Sequence, residues 1–267
     1  MTRFPENIKF KYAWRKYQKR VLDELEEHLV DNHLHIIAPP GSGKTILGLE
    51  VTLRLDKPAL VLAPSIAIRN QWIQRFCELF LQTESTPDWI SRDIKNPKFL
   101  TVSTYQGMHA ACSGTEEVEE DLNEEESENH NENKSTKEKT DEIIRGLKGQ
   151  NIGTIVVDEA HHIKNAWWVS LSKIKEALEP TIVGLTATPP YDVSYAEWQR
   201  YSELNGPVDA EISVPELVIE GDLCPHQDYV HFTLPTEKEN QSIVEFRQNI
   251  ENLFQKTKMN PVLVWIM

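Results

Sequence analysis

The chain has 267 residues with 28 Lys and Arg against 42 Asp and Glu, a net charge of −14, enough length for one large domain or two small ones with a substantial buried core. The acidity is uneven, because 13 acidic and 3 basic residues fall between Thr115 and Glu142 and the remainder is only mildly acidic. Cys77, Cys112 and Cys224 are far apart and lack ligand spacing, which speaks against a disulfide framework or a zinc site and for a reducing, cytoplasmic compartment; no stretch approaches the roughly 18 apolar residues of a membrane span.

Residues 1–33 are an N-terminal region holding Trp14-Arg15-Lys16-Tyr17-Gln18, with Trp14 and Tyr17 one helical turn apart. Short apolar runs follow at Leu34 to Ala38, Ala59 to Ala63, Phe99 to Val102, Ile152 to Val157 and Thr181 to Leu185. Their continuous apolar character predicts strands buried on both faces, as in a parallel sheet. Between them, Thr45 to Leu55, Ile66 to Leu81 and Val169 to Leu178 carry apolar residues at helical spacing. The alternation predicts a doubly wound α/β sheet over residues 34–204. Residues 113–142 interrupt it and are expected to form a disordered acidic insert, since only Val118 and Leu122 are apolar between Thr115 and Glu142. Beyond Pro189 the sequence predicts a helix at Tyr195 to Leu204, strand-like stretches at Glu216 to Ile219 and Tyr229 to Leu234, and a helix at Glu237 to Gln255. Residues 205–267 are expected to be the passage into a second unit. The chain stops in an apolar run from Pro261 to Met267, and a truncation is expected there.

The first run leads into Ala38-Pro39-Pro40-Gly41-Ser42-Gly43-Lys44-Thr45, a strand-to-helix turn with the pattern of a phosphate-binding loop except for Ala38, where that pattern wants glycine. Small residues at Pro40, Gly41, Ser42 and Gly43 let backbone amides turn onto phosphates at a helix N-terminus. Lys44 is suited to the β and γ phosphates, and the Thr45 hydroxyl to Mg²⁺. Ile155-Val156-Val157 leads into Asp158-Glu159-Ala160-His161-His162, placing carboxylates at the carboxyl end of a strand, where open α/β sheets bind ligands. Asp158 is expected to hold Mg²⁺ through its water shell, and Glu159 to orient and deprotonate an attacking water.

Together with Thr186-Ala187-Thr188-Pro189, these segments resemble motifs I, II and III of superfamily-two helicases and translocases, in the family's order. The resemblance implies a RecA-like lobe with a mostly parallel sheet, the start of a truncated second lobe, and ATP with Mg²⁺ as the nucleotide and cofactor. It implies catalytic roles for Lys44, Asp158, Glu159 and His161, with His161 linking the nucleotide to Thr186 and Thr188 as coupling residues. Residues 14–18 resemble the adenine-recognising Q-type motif, which adds Arg15, Tyr17 and Gln18 to the nucleotide site. Val61 to Ser65, with Gln71-Trp72 downstream, resembles motif Ia and Val102 to Gln106 motif Ib, so Pro64, Ser65, Arg69, Thr104, Tyr105 and Gln106 are expected to face nucleic acid. Hydroxyls and helix N-terminal amides hold phosphate oxygens without large net positive charge, so the acidic total does not exclude such a partner. The Asp-Glu-Ala-His-His and Thr-Ala-Thr-Pro forms are similar to the DEAH-type restriction-subunit and DNA-repair branch, implying DNA rather than RNA. The expected function is that of an ATP-dependent DNA helicase or translocase. A restriction or defence subunit moving on duplex DNA and a non-catalytic ATP-binding module are the alternatives. The family's arginine finger comes from its second lobe, so low turnover by this chain alone and a missing lobe or partner subunit are further expectations.

Overall fold

The computed structural model describes residues 1–114, 134–225, 229–230 and 232–258. Helices α1 (Lys16–Asp23) and α2 (Leu25–His28) precede β1 (His33–Ile37), α3 (Lys44–Leu55), β2 (Ala59–Ala63) and α4 (Ile66–Phe76). The last of these runs on through a wider turn at Cys77–Leu81. There follow β3 (Ile90–Ser91), β4 (Leu100–Thr104), α5 (Tyr105–Ser113), α6 (Lys134–Gly149), β5 (Thr154–Asp158), α7 (Asn165–Leu178) and β6 (Thr181–Thr186). The chain continues through α8 (Tyr195–Asn205), β7 (Ala210–Glu211), α9 (Val214–Ile219) and α10 (Glu237–Lys258). Contacts divide it into two units, Met1–Cys224 and Pro225–Met267. In the second, α10 is preceded by Thr236, whose amide and hydroxyl both donate to the Glu239 carboxylate at 2.8 Å.

In the first unit one sheet runs β3-β4-β2-β5-β6-β1-β7, and every pair in it is parallel. The two-residue period of a strand sends its side chains to alternate faces, and the core divides accordingly. Val61, Val156, Val183 and Leu185 join a cluster with Leu47, Trp72 and Phe76 from α3 and α4. Leu60, Leu62, Ile155, Val157 and Ile182 join a second with Tyr105, Leu147, Leu171 and Leu204 from the helices on the other face. Both faces are therefore covered, which is why these strands read as unbroken apolar runs. This is the expected α/β architecture of a RecA-like lobe. Among the described residues no helix is long and apolar enough to cross a membrane.

Four expectations change. Residues 134–142 of the expected insert are helical, the first half of α6. Thr140, Ile143 and Leu147 are buried, and their spacing of three and four places them on one helical face; the acidic composition of the whole segment masked this stripe. Residues 115–133 lie outside the described residues, as does the apolar run 261–267. Glu216 to Ile219 belongs to a helix rather than a strand, because Ser213 caps α9 by accepting from the Glu216 amide at 3.3 Å and a proline stands in its first turn. No strand forms at 229–230 or 232–234. Residues 205–224 are not a passage out of the lobe: β7 pairs with β1, and Leu217 is buried in the first core cluster. As a check on the packing of α6, Leu147→Ala is expected to cost about 2–5 kcal/mol of stability, read from urea unfolding, since Leu147 is fully buried.

Candidate nucleotide site and nucleic-acid face

Parallel pairing brings the carboxyl ends of three strands to one edge. Ile37 of β1 lies in register with Thr186 of β6, and Leu185 of β6 with Asp158 of β5, so the phosphate loop, the acidic pair and the Thr-Ala-Thr-Pro turn converge. The Ala38 amide donates to the Thr186 carbonyl at 2.9 Å, extending the β1–β6 ladder into the loop. Ala38 does not have a positive φ, so the departure from glycine there introduces no backbone strain. Glycine is required further on: Gly43 has φ +83°, and a Cβ on it would lie 2.7 Å from Gln18 Nε2. Gly43 begins α3 with no side-chain cap, so the first-turn amides are left for an anion.

Lys44 Nζ donates to the Ala38 carbonyl at 3.1 Å and pairs with Glu159 Oε1 at 3.1 Å. The loop and the acidic pair are thus tied together by a partly buried ion pair. Glu159 stands at φ +53°, a left-handed conformation that costs a non-glycine residue about 1 kcal/mol or more. Its other oxygen accepts from the Ala187 amide at 3.3 Å and lies 3.5 Å from His161 Nδ1. Asp158 is 4 % exposed. Burial pushes its carboxyl up to about 6, against the hydrogen bond from Trp72, which lowers it. Trp72 Nε1 donates to Asp158 Oδ2 at 2.7 Å, and the Tyr105 hydroxyl donates to the Asp158 carbonyl at 2.7 Å.

His161 Nδ1 lies 2.7 Å from the Thr186 hydroxyl, which itself donates to the Thr188 carbonyl at 3.1 Å. With that hydroxyl proton directed at Thr188, a neutral His161 ring is placed to donate from Nδ1 to Thr186. Burial lowers the His161 pKa, favouring this neutral form. The acidic pair and the Thr-Ala-Thr-Pro turn are therefore joined by direct contacts at both Glu159 and His161.

The N-terminal segment grips the loop from behind. The Tyr17 hydroxyl and Gln18 Nε2 both donate to the Ser42 carbonyl, at 3.0 and 3.1 Å, while Gln18 Oε1 accepts from the Arg15 amide at 3.2 Å. Gln18 is thus committed at both ends of its amide, to the loop and to the start of α1. Arg15 reaches the Tyr17 hydroxyl at 2.8 Å and Asp222 at 3.1 Å. Sequence reasoning missed Asp222, and also Leu223, whose Cδ2 would be 3.4 Å from a Cβ on Gly41. It placed Trp72 only in a motif; the signal for its role is Gly48, where a Cβ would meet the Trp72 ring at 2.5 Å.

Residues fit Mg-ATP in chemical type. The uncapped start of α3 and Lys44 present positive charge to phosphates, with Thr45 beside them and Asp158 across the strand ends as oxygen donors. Among the described residues no group of three or more His, Cys, Asp or Glu is arranged to hold a metal. Mg²⁺ is usually held by one or two protein oxygens, water and substrate phosphates.

On the expected nucleic-acid face, Ala63 and Thr104 are paired in register, so the two loops beyond them are neighbours. Ser65 is exposed and caps α4, accepting from the Ile68 amide at 3.3 Å, with Pro64 and Arg69 half-buried beside it. Thr104 caps α5, accepting from the Gly107 amide at 2.9 Å, and Gln106 is half-buried. Tyr105 corrects the expectation: it is fully buried, burial raises its pKa well above the ordinary phenol value, and its hydroxyl faces Asp158. Trp167 stacks on it with ring centroids 5.8 Å apart.

Because the folded pKa of Asp158 is raised above its unfolded value, its contribution to stability is fully present below the unfolded pKa and lost as pH rises through about 6. Without nucleotide, the stability of the native chain relative to Asp158→Asn is expected to rise by roughly 1 kcal/mol from about pH 7 to about pH 5. Paired urea titrations at the two pH values measure it.

A family model described as type III restriction enzyme, res subunit, matches residues 11–191. The chain is 25% identical over 210 residues to the DNA 3'-5' translocase XPB2 of Sulfurisphaera tokodaii, covering 79% of this chain and 38% of that protein. It therefore spans well under half the length of that curated relative. Among solved structures, the Hef helicase domain of Pyrococcus furiosus is similar at TM-score 0.49 and 18% identity, over 76% of this chain and 39% of that one. The UvsW helicase of bacteriophage T4 is similar at TM-score 0.47 and 16% identity, over 79% and 64%. Since the family match runs from the Q-type segment to the turn beyond β6, the chain belongs to the type III restriction enzyme res-subunit family, and its first unit is a superfamily-two helicase lobe.

Proposed function

We propose that the chain is the ATP-binding and hydrolysing lobe of a DNA helicase or translocase. The observation that carries this reading is the Lys44–Glu159 contact at 3.1 Å, a phosphate-binding lysine held against a carboxylate suited to activate water. Mg²⁺, held by Thr45, Asp158 and the phosphates, would neutralise charge developing on the transferred phosphoryl group. Lys44 and the α3 amides bind the phosphates, Glu159 takes the proton of the attacking water, and His161 passes the state of the site to Thr186 and Thr188. Gln18 serves adenine after release from Ser42. The exposed Ser65 cap and the neighbouring Thr104 loop face the strand, and similarity to a protein named as a DNA translocase supports DNA as the partner.

The test is phosphate release from Mg-ATP with and without single- and double-stranded DNA. Slow hydrolysis that depends on Mg²⁺ and rises little with DNA is expected of this lobe alone. ATP binding without any hydrolysis, with or without DNA, would leave a nucleotide-binding interaction module instead. Family membership favours a second reading, a restriction-type subunit moving along duplex DNA without separating it. Triplex displacement without strand displacement would select that reading.

A further inference from the structure

Two helices that begin on the proposed strand-facing surface end their reach on one residue of the nucleotide site. Helix α4 starts at the exposed Ser65 cap, carries Arg69 in its second turn, and one turn later buries Trp72 to 1 % exposure. Its indole N–H donates to Asp158 Oδ2 at 2.7 Å. Helix α5 starts at Tyr105, directly after the Thr104 cap, and the Tyr105 hydroxyl donates to the Asp158 backbone carbonyl at 2.7 Å. Asp158 is thus held at its carboxylate by one helix and at its main chain by the other. The Trp72 ring lies so close to Gly48 of α3 that a Cβ there would stand 2.5 Å from Cη2 and 2.7 Å from Leu185 Cδ1. The indole is boxed between the helix that starts at the phosphate loop and the strand that ends at Thr186.

We propose that Trp72 is a positioning residue for the proposed Mg²⁺ ligand, and that it makes strand contact at the start of α4 felt at Asp158. The inference rests on the proposed function. A rotating carboxylate loses metal affinity because its oxygens no longer converge. Donors behind metal ligands commonly contribute 10- to 100-fold in metal affinity for this reason. Trp72 is suited to that task because a buried indole has a single donor, no acceptor and little freedom to turn. A shift of α4 on binding a strand moves the indole with the helix. Such a shift changes Asp158 directly, and linkage requires that nucleotide then changes strand affinity by the same factor.

Trp72→Phe in the full chain keeps an aromatic ring in the box and removes the N–H. Three measurements are made: urea unfolding, binding of a fluorescent ATP analogue across a Mg²⁺ titration, and affinity for labelled single-stranded DNA with and without a non-hydrolysable Mg-ATP analogue. The variant is expected to need about tenfold more Mg²⁺ for half-saturation with Mg-free nucleotide binding unchanged, and its nucleotide-to-DNA coupling factor is expected to fall toward one. Gly48→Ala, which displaces the indole without touching its N–H, should move both readouts in the same direction and replaces Trp72→Phe if that chain does not fold. A folded variant with native Mg²⁺ dependence and native coupling overturns the inference alone. So does equal weakening of Mg-free and Mg-dependent binding, the mark of a merely structural role. Failure of the native chain to bind Mg-ATP overturns the proposed function and this inference with it.

Discussion

Lys44→Ala is expected to lower Mg-ATP affinity by about 10- to 100-fold for each charge-assisted bond to phosphate that it removes, while the chain remains folded. Lys44 is tied to Ala38 and Glu159 and belongs to neither core cluster, so its loss opens no apolar cavity. The structure adds a cost that the sequence did not show, because Glu159 loses its counter-charge. That carboxylate is a quarter exposed and keeps the Ala187 amide, so the cost is of the order of 1 kcal/mol, as for a partly exposed ion pair. Labelled-ATP binding and urea unfolding measured side by side separate the two effects. Native affinity in a folded Lys44→Ala chain would remove the phosphate-loop assignment.

The same residues show why parts of the molecule were legible beforehand. Ala59 to Ala63 was expected as a strand and β2 has the same bounds, because a strand buried on both faces must be apolar throughout. By contrast β3 and β7 are two residues each at the two borders of the sheet, too short to form a run. Helix α6 was hidden because its buried stripe of Thr140, Ile143 and Leu147 straddles the end of an acidic segment. In the site, residues carried by contiguous motifs converge because parallel register aligns the strand ends. The contacts that hold them cross long stretches of chain: Trp72 to Asp158 spans 86 residues, and no local pattern encodes such a pair. Tyr105 shows the limit of motif reading, since adjacency to Thr104 placed it on the right loop while burial turned its hydroxyl inward to Asp158.

Glu159→Gln is expected to separate hydrolysis from binding. A positioned general base contributes about 10²- to 10⁴-fold in rate, and glutamine of the same shape cannot take the proton. The amide oxygen can still accept from Ala187, so the left-handed turn at residue 159 and its contact with the Thr-Ala-Thr-Pro segment survive. Binding should move the other way. In the absence of nucleotide, Lys44 is neutralised by Glu159 at 3.1 Å, and phosphate must compete with that carboxylate for the ammonium. Removing the negative charge releases Lys44, so ATP affinity is expected to hold or rise while phosphate release falls by about two orders of magnitude or more. Equilibrium binding and steady-state phosphate release on the same preparation decide it. A parallel fall in both would mean that Glu159 acts by holding Lys44 in place, and the water-activating role would have to pass to another group.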